Sequence, residues 1–343
     1  MSTLHHESPQ AAMPLPATGN EPAEPANISE IYVKGRWIKV PVVNVDGKTI
    51  AVRGKWLKTA FIRSEEWLET EVEDPDRCIV EVKKARSNGV RAHLFTFAQK
   101  PSATSIKYQY AMEWDSVAAI RLTNFKDWWE NLPQATRKNV RRAEKRGVVV
   151  TVRPFDDQLL QGLSDLVNDS PVRQGVPNVQ YGKSLEQLRK DYSSFLDRSD
   201  LICAYFGDEL VGFLKIVYRG DVASILNFLP KLSHDEKRPA NAIMAKAVEL
   251  CAARGVAYVT YGMFNYGNKQ DSPLREFKIR NGFGEVLVPR FYVPLTVWGS
   301  FCMKLHLHRG LLGILPHRMI TLGVAARAKW HNFKNVRQAG VAQ

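Results

Sequence analysis

The sequence has 343 residues, of which 45% are hydrophobic and 24% are charged. This length allows two or three domains, and the composition is ordinary for a globular protein with a hydrophobic core. Lys and Arg number 48 against 35 Asp and Glu, and the resulting formal net charge of +13 favours polyanionic partners such as nucleic acid, a phosphorylated cosubstrate or an anionic membrane.

Cysteine usage and hydropathy indicate the cellular compartment of the protein. The four cysteines are far apart and form no CxxC pair, which favours a reduced cytoplasmic protein over a disulfide framework or a zinc site. The N-terminus lacks the basic-then-apolar pattern of a signal peptide. The longest apolar stretch, 286–303, contains Pro289, Arg290 and Pro294, so we interpret it as a strand and a connection. We expect a cytoplasmic protein, with attachment to the inner face of the membrane as the alternative.

The first third of the chain divides into a leader and a small unit. Residues 1–27 contain five prolines and no Lys or Arg, which is typical of a disordered leader. From Ile31 apolar and polar residues alternate, with a hairpin signal at Asp46–Gly47. Residues 28–115 are therefore predicted to form a small, β-rich α+β unit, to which we assign no chemistry. Within it, 55–71 is predicted as a helix or tight turn, and 77–98 and 106–114 as strands.

A strongly basic helix is predicted next. Six of the ten residues from Arg137 to Arg146 are basic. Pro133 suits the first helical position and Gly147 suits the end of the helix. Thr136, Val140 and Ala143 form one narrow seam at helical spacing, so one side can pack while the rest stays cationic. Contact with an anionic donor or membrane and a simply solvated surface helix are both consistent with this pattern, whereas we do not expect sequence-specific nucleic-acid binding.

The order of elements from residue 147 onward is the most informative part of the sequence. Three strand-like runs separated by the turn sequences GDE and RGD predict an antiparallel meander. The helix after them has apolar residues at i, i+3, i+4, i+7, i+8 and i+11, so it should pack along its whole length. The predicted order is a strand at 147–153, helices at 156–169 and 184–197, strands at 201–206, 210–218 and 222–229, a helix at 239–254, a strand at 256–261, a helix at 273–281 and a strand at 286–294.

This β-α-α-β-β-β-α-β-α-β order, over about residues 116–295, resembles the GNAT superfamily of N-acyltransferases. The stretch RKNVRRAEKRGVVV (137–150) resembles the helix-into-strand entry of FemAB-like acyltransferases, and SPLREFKIRNGFGE (272–285) resembles their late helix. The sub-branch of BioF2-like acetyltransferases is the nearest match. The resemblance implies an α+β fold with a GNAT-like mixed central sheet flanked by helices at 116–295. A basic amphipathic tail follows at 296–343.

The resemblance also implies a reaction. An acyl donor inserts between two splayed parallel strands, here 222–229 and 256–261, and an acceptor amine attacks it directly without a covalent enzyme intermediate. Acyl-CoA is the implied cosubstrate, no cofactor is expected to be tightly bound, and the acceptor is expected to be an amine of a sugar or a cell-envelope precursor.

One departure from the family pattern concerns the donor phosphates. Acyl-CoA users have a glycine-rich turn before the long helix, whereas this chain has PKLSHDEKRPAN (230–241) and no glycine between Gly220 and Gly255. FemAB-like enzymes that take aminoacyl-tRNA also lack that turn, so aminoacyl-tRNA is the alternative donor. A non-catalytic module that docks on RNA or membrane is the alternative from a different class.

Four residues are candidates for catalysis. Lys278 shares a helix face with Leu274, Phe277 and Asn281. An inward lysine could stabilise an oxyanion or hold a donor phosphate, although a side chain that extends its ammonium to solvent would also explain it. Tyr261 and Tyr266 follow the strand after the long helix, where the family places acceptor-side groups, although packing would also explain them. His234, in the loop before that helix, could act as a base or be a plain surface residue.

Seven residues are candidates for binding. Arg173, Gln174 and Tyr181 lie in the loop between the first two helices of the resemblance, where they could bind an anionic acceptor or simply face solvent. Asn227 could bind an acceptor hydroxyl. For the donor phosphates the candidates are Lys237, Arg238 and Asn241 at the start of the long helix.

The C-terminal tail completes the sequence predictions. After Glu285 the chain has no acidic residue, and its Lys and Arg residues alternate with Trp and Leu. This pattern suits peripheral contact with a membrane near a lipid-linked acceptor, and equally a basic tail packed on the domain. His306, His308 and His317 are close in sequence, but no Cys or carboxylate follows them, so no metal site is predicted.

Overall fold

A computed structural model gives the fold for residues 27–64, 69–103, 105–173, 176–265 and 272–309. Except for Asn27, the predicted leader lies outside the described residues, and so does the tail beyond residue 309. None of the helices in the described part of the chain combines the length and apolarity needed to span a membrane.

The N-terminal half of the fold is a meander of four strands followed by a helix and two further strands. These elements are β1 (Ile28–Val33), β2 (Arg36–Val45), β3 (Lys48–Arg53), β4 (Thr59–Ile62), α1 (Pro75–Lys84), β5 (Leu94–Ala98) and β6 (Ala111–Arg121). Strands β1 to β4 pair antiparallel in chain order, and α1 leads from β4 to β5, which is parallel to β4. The segment 55–71 thus contains a strand, not the helix that was one of its two predicted forms.

Helix α1 shows that the strand predicted over 77–98 is wrong for its first part. The Asp74 side chain accepts a hydrogen bond from a backbone N–H of the first turn, which starts a helix at this point. Cys78, Ile79 and Val82 then form the buried face at helical spacing. Val80, between them, is exposed, as a helix requires, and only β5 of the predicted segment is extended.

The C-terminal half contains the meander, long helix and parallel strand that the sequence predicted. Strands β10, β11 and β12 pair antiparallel and β13 is parallel to β12, which confirms those predictions. The elements are α2 (Phe125–Asn131), α3 (Gln134–Lys145), β7 (Val148–Val152), α4 (Asp157–Val167), β8 (Val172–Arg173), β9 (Val176–Pro177), α5 (Leu185–Tyr192), β10 (Ser199–Phe206), β11 (Glu209–Arg219), β12 (Val222–Pro230), α6 (Pro239–Ala253), β13 (Tyr258–Met263), α7 (Pro273–Arg280), β14 (Gly284–Pro294) and α8 (Val297–Lys304).

The basic helix is α3, and its one-sided packing is as predicted. Thr136 and Ala143 are buried, and Val140 packs against the same core. Gly147 follows the helix with a φ of 82°, a left-handed conformation that glycine adopts without strain. Arg141 and Arg142 remain exposed, so the outer face of α3 is cationic.

One sheet of twelve strands joins the two halves, and the halves exchange their last strands. The order is β1-β2-β3-β4-β5-β14-β6-β13-β12-β11-β10-β7. The run β2-β3-β4-α1-β5 repeats the topology of β10-β11-β12-α6-β13. Strand β6, which ends the first half, pairs with β13, while β14, which ends the second half, pairs with β5 as well as with β6. The domain boundary predicted between residues 115 and 116 falls inside β6.

The two halves cover their shares of the sheet differently. In the C-terminal half, α6 and α3 pack on one face of β10 to β12, and α4 and α5 pack on the other. In the N-terminal half, α1 packs over Phe95, Phe97 and Phe291. The opposite face of β4, β5 and β14 borders a cavity instead of a helix-covered core.

Candidate active site

Strands β12 and β13 separate after three paired positions, and we call the gap between them the cleft. The two strands are paired only at Val222–Tyr258, Ala223–Val259 and Ser224–Thr260. Directly beyond, the pairing of β12 with β11 shifts by one residue, because Leu226 has no counterpart between the pairs Lys215–Asn227 and Ile216–Ile225. Such a bulge bends a strand and increases its twist. From Leu226 onward β12 is only half-buried, whereas its first four residues are buried, so the bulge marks the start of the cleft.

Lys278 lies at this cleft with an unusual side-chain orientation. Its helix, α7, begins after Ser272, whose hydroxyl accepts a hydrogen bond from the N–H of Arg275. Lys278 is 0% exposed, whereas the apolar neighbour Ile279 is 45% exposed. The burial of Lys278 confirms the prediction that its helix face points inward. The ammonium group thus occupies a position where a hydrocarbon side chain would be expected.

The surroundings of Lys278 include a backbone acceptor and an aromatic ring. Its Nζ donates a hydrogen bond of 2.7 Å to the carbonyl oxygen of Met263 and lies 4.7 Å from the centroid of the Tyr261 ring. Burial lowers the pKa of Lys278 from 10.5 to about 8, because the charged form loses hydration. The carbonyl and the π face both favour the ammonium form, so they oppose part of this shift.

Aromatic rings line the same part of the cleft. Phe228 of β12 lies 6.0 Å from Tyr261 and stacks on Phe277 of α7 at 5.3 Å between centroids. The Phe283 ring lies 6.0 Å from that of Tyr261. The rings keep the surroundings of the lysine apolar, which is the physical cause of its lowered pKa. The structure therefore brings two of the predicted catalytic residues, Lys278 and Tyr261, together at the end of the parallel pair.

Asn227 lies at the bulge but on the opposite face of the sheet. It pairs in register with Lys215, whose Nζ donates to the carbonyl oxygens of Tyr192 and Ser194 on the α5 side. Its neighbour Phe228 points to the Lys278 side, as alternation along a strand requires. The Oδ1 atom of Asn227 is buried and has no hydrogen-bond partner among the described residues, so it keeps an unsatisfied acceptor next to the cleft.

The residues predicted to hold donor phosphates lie at the start of α6. Arg238 adopts a left-handed conformation with φ 60°, so this position makes the turn without a glycine. Its guanidinium pairs with Asp235 at 2.9 Å, and Lys237 pairs with Glu236 at 2.8 Å. The side chain of the N-cap residue, Arg238, makes no hydrogen bond to the first turn of α6. The helix end can therefore receive an anion, while both nearby cations already have acidic partners.

Two further predicted residues of this region have local partners. Asn241 donates through Nδ2 to Asn281 Oδ1 at 3.4 Å and so links the first turn of α6 to the end of α7. The Nε2 atom of His234 lies 3.3 Å from Glu209, and its ring lies 6.0 Å from that of Phe206. These contacts lie at the β10–β11 hairpin, away from the rings around Lys278.

The loop between α4 and α5 is built around Arg173. The guanidinium donates to the carbonyl oxygens of Pro230 at 3.0 Å and Leu166 at 2.9 Å. It thereby ties the ends of β12 and α4 to the hairpin of β8 and β9. Tyr181 is 48% exposed. Gln174 and the predicted catalytic Tyr266 lie outside the described residues.

Two polar clusters were not predicted from the sequence. Lys215, in an otherwise apolar run of β11, is 0% exposed, and burial lowers its pKa from 10.5 to about 8. Near the C-terminal end of the described chain, side-chain ligand atoms of Glu113, His306 and His308 lie within 4.8 Å of one another. Arg309 also donates to Glu113 at 2.9 Å, so this carboxylate already has cationic and N–H partners. An inward lysine in a strand was a usable signal for the first cluster, whereas the second depends on contacts between residues 195 positions apart.

Comparison with solved structures identifies the architecture. The structure of FemX is similar with a TM-score of 0.53 and 9% sequence identity, covering 82% of this chain and 90% of that chain. The L-PGS structure from Bacillus licheniformis is similar with a TM-score of 0.50 and 14% identity, covering 80% and 89%. The chain therefore has a FemAB-like, GNAT-like fold.

A third solved structure has the same fold, whereas comparisons by sequence found no match. The C-terminal domain of a putative lysylphosphatidylglycerol synthetase from Agrobacterium fabrum is similar with a TM-score of 0.50 and 10% identity, covering 78% of this chain and 88% of that domain. No protein-family model matches the sequence, and no curated protein matches it. The FemAB-like fold spans both halves of the chain, including the 28–115 unit.

Proposed function

We propose that the chain is an N-acyltransferase that moves an acyl group from a thioester donor to an amine by direct attack. The observation that carries this proposal is the separation of β12 and β13 at the Leu226 bulge, with the buried ammonium of Lys278 at the opening. The similarity in fold to FemX and to lysylphosphatidylglycerol synthetases supports an acyl- or aminoacyl-transfer reaction. Here the donor would lie between the two strands and the acceptor would approach its carbonyl carbon.

The proposed reaction needs no covalent intermediate on the protein. The lone pair of the acceptor nitrogen forms the new C–N bond, and the carbonyl oxygen becomes an oxyanion that backbone N–H groups of β12 beyond the bulge would stabilise. The C–S bond then breaks and leaves a thiolate. The proton lost by the nitrogen passes to water or a base, and the Lys278 ammonium stabilises the negative charge or protonates the leaving sulfur.

Acyl-CoA is the proposed donor, and it would be a cosubstrate, not a tightly bound cofactor. The uncapped first turn of α6 supports it, because backbone N–H groups at a helix N-terminus bind phosphate. Aminoacyl-tRNA is the second candidate donor. It is favoured by the pairing of Lys237 with Glu236 and of Arg238 with Asp235, since these cations would have to leave their partners to bind a pyrophosphate.

The proposed acceptor is an amine of a sugar or of a cell-envelope precursor, reached at the inner face of the membrane. Two structurally similar proteins, L-PGS and a putative lysylphosphatidylglycerol synthetase, are named after a lipid product, and this supports an acceptor in the cell envelope. The basic C-terminal region supports peripheral contact with anionic lipid.

A thermal-shift titration tests the donor. The full chain is titrated with CoA, acetyl-CoA, a long-chain acyl-CoA and charged tRNA at fixed salt. Ligand at about 100 times Kd stabilises by about 2.7 kcal/mol, which raises Tm by several degrees in a protein of this size. A shift that depends on the acyl group supports acyl-CoA, and a shift with charged tRNA alone supports the second donor. No shift with any ligand contradicts both and favours a non-catalytic module.

A further inference from the structure

A second cavity lies in the N-terminal half, on the face of the sheet that α1 does not cover. It has a volume of about 640 Å³. Its floor crosses three neighbouring strands in register, because Phe61 pairs with Thr96 and Thr96 pairs with Tyr292. Phe95, Phe97 and Phe291 alternate with these residues and point to the α1 core. The cavity is thus a property of the sheet and not of one surface loop.

The cavity starts at the topological counterpart of the donor cleft. Strands β4 and β5 are parallel and paired at three positions, as β12 and β13 are. In each half the parallel pair follows an antiparallel meander and a crossover helix. The N-terminal half therefore repeats the order of strands and helix around the cleft, but not the bulge, since β3 and β4 pair without a register shift.

The charged groups that line the second cavity are cationic. Arg53 and Arg290 line it, and no carboxylate is among its described lining residues. Arg290 is 8% exposed, and its Nε donates to Asp115 at 2.6 Å, with Nη1 at 3.4 Å from the hydroxyl of Thr96. These contacts fix the position of the guanidinium at the floor of the cavity. Arg53 is exposed and makes no ion pair within the described residues, so its charge is available to a ligand.

His308 adds a buried polar atom that lacks a partner. Its side chain is 2% exposed and lines the cavity, and Nε2 lies 2.7 Å from Glu113 Oε1. A carboxylate oxygen only accepts, so Nε2 of His308 donates to Glu113, and Nδ1 is the ring nitrogen left for another partner. Nδ1 is buried without a hydrogen-bond partner among the described residues. Leaving such an atom unsatisfied is costly, and a hydroxyl from a bound molecule would remove that cost.

We propose that this cavity is a second ligand site, which takes a phosphate ester carrying hydroxyl groups. The phosphate would lie against Arg53, and a hydroxyl would form a hydrogen bond with Nδ1 of His308. The hydroxyls of Thr96 and Tyr292 provide further polar contacts on the floor. A soluble sugar phosphate and the headgroup of a glycerophospholipid share this chemistry. The inference does not depend on the donor cleft or on Lys278.

Isothermal titration of the full chain at fixed low salt tests the site. The probes are glucose 1-phosphate, glycerol 3-phosphate, inorganic phosphate, and phosphatidylglycerol vesicles with phosphatidylcholine vesicles as reference. Arg53→Gln is expected to weaken binding of the phosphate esters at least about tenfold, because a charge-assisted hydrogen bond is lost. Lys55→Gln is the matched control, since Lys55 is an exposed cation two residues away that does not line the cavity.

A second variant tests the role of His308. His308→Phe keeps a ring beside Tyr292, from which the imidazole centroid is 4.7 Å away. It should bind inorganic phosphate as the wild type does and lose the preference for glucose 1-phosphate.

The outcomes distinguish the source of the ligand. Binding of the soluble esters identifies a free metabolite, and Arg53-dependent binding of the vesicles alone identifies a lipid headgroup. Absence of binding by every probe, or equal effects of Arg53→Gln and Lys55→Gln, would overturn the proposal. A Lys278 variant with unchanged phosphate binding would show that the two sites are separate.

Discussion

The Nζ atom of Lys278 lies 4.7 Å from the centroid of the Tyr261 ring and 2.7 Å from the Met263 carbonyl oxygen. An ammonium that contacts a carbonyl oxygen and an aromatic ring at the opening of a strand pair can respond to charge that develops there. Lys215 is equally buried but donates to carbonyl oxygens of Tyr192 and Ser194 on the other face of the sheet. The two lysines therefore share burial and differ in place, which makes them a matched pair for testing the site.

Replacing Lys278 by Met should remove activity while leaving the fold intact. Met fills the same apolar surroundings, and the loss of a general acid or of charge stabilisation reduces rates by about 10²–10⁴. The measurement is kcat/KM for acyl transfer, together with Tm. Lys215→Met is the control, and it should keep kcat/KM within a few-fold of wild type. Equal losses of activity in both variants would show that burial of a lysine matters, not its position at the cleft.

The activity should fall as pH rises through about 8, the pKa that burial gives Lys278. Above this pH the lysine becomes neutral and can no longer stabilise negative charge or donate a proton. The pH dependence of kcat/KM measures this. Lys278→Arg keeps its charge throughout, because the pKa of arginine is above 12, so it should lose this descending limb. A limb that persists in the Arg variant would assign the titration to another group.

Stability should show the opposite trend in the same interval. The folded pKa of Lys278 lies below its unfolded value of 10.5, so burial of the charge costs free energy at pH values below about 8. That cost is relieved as pH rises from about 8 to 10.5, where the folded protein loses a proton that the unfolded chain keeps. The free energy of unfolding of the wild type, measured relative to Lys278→Met by urea denaturation, should therefore rise across this interval. A constant difference would contradict a lowered pKa.

The sequence predicted the C-terminal half well because local patterns determine it. The meander of β10 to β12 follows from short strands with tight turns, and the inward position of Lys278 follows from helical spacing with Leu274 and Phe277. The Leu226 bulge was not predicted, because nothing in the strand itself distinguishes it from its paired neighbours. It appears only when β11 and β12 are in register.

Long-range pairing explains what the sequence could not show. The N-terminal unit repeats the topology of the C-terminal half, but its strand β5 acquires a partner, β14, from the other end of the chain. The contact of Glu113 with His308 likewise spans 195 positions. Arg173 was predicted as a ligand group from its loop position, and its contacts with backbone carbonyl oxygens could not be read from spacing.

Replacing Arg173 by Ala should reduce stability. The guanidinium holds the ends of β12 and α4 through two carbonyl oxygens, and leaving both acceptors without a donor costs about 1–3 kcal/mol each. Thermal unfolding measures this loss, and Tyr181→Ala, an exposed residue of the same loop, is the control. A change in acceptor KM at unchanged Tm would instead support the substrate-binding role predicted for Arg173.

Replacing Trp298 by Ser should weaken binding to anionic membranes. Helix α8 exposes Val297, Trp298 and Phe301, with 88% of Val297 accessible, and Trp298 donates through Nε1 to the carbonyl oxygen of Trp56. Aromatic rings of this kind favour the interface between lipid and water, and burying one contributes about 1.5–3 kcal/mol, so binding should fall about tenfold or more. Co-sedimentation with phosphatidylglycerol vesicles measures it. Val149→Ser, which removes an exposed apolar side chain from the distant edge strand β7, should bind as the wild type does; if both variants lose binding equally, α8 is not the contact surface.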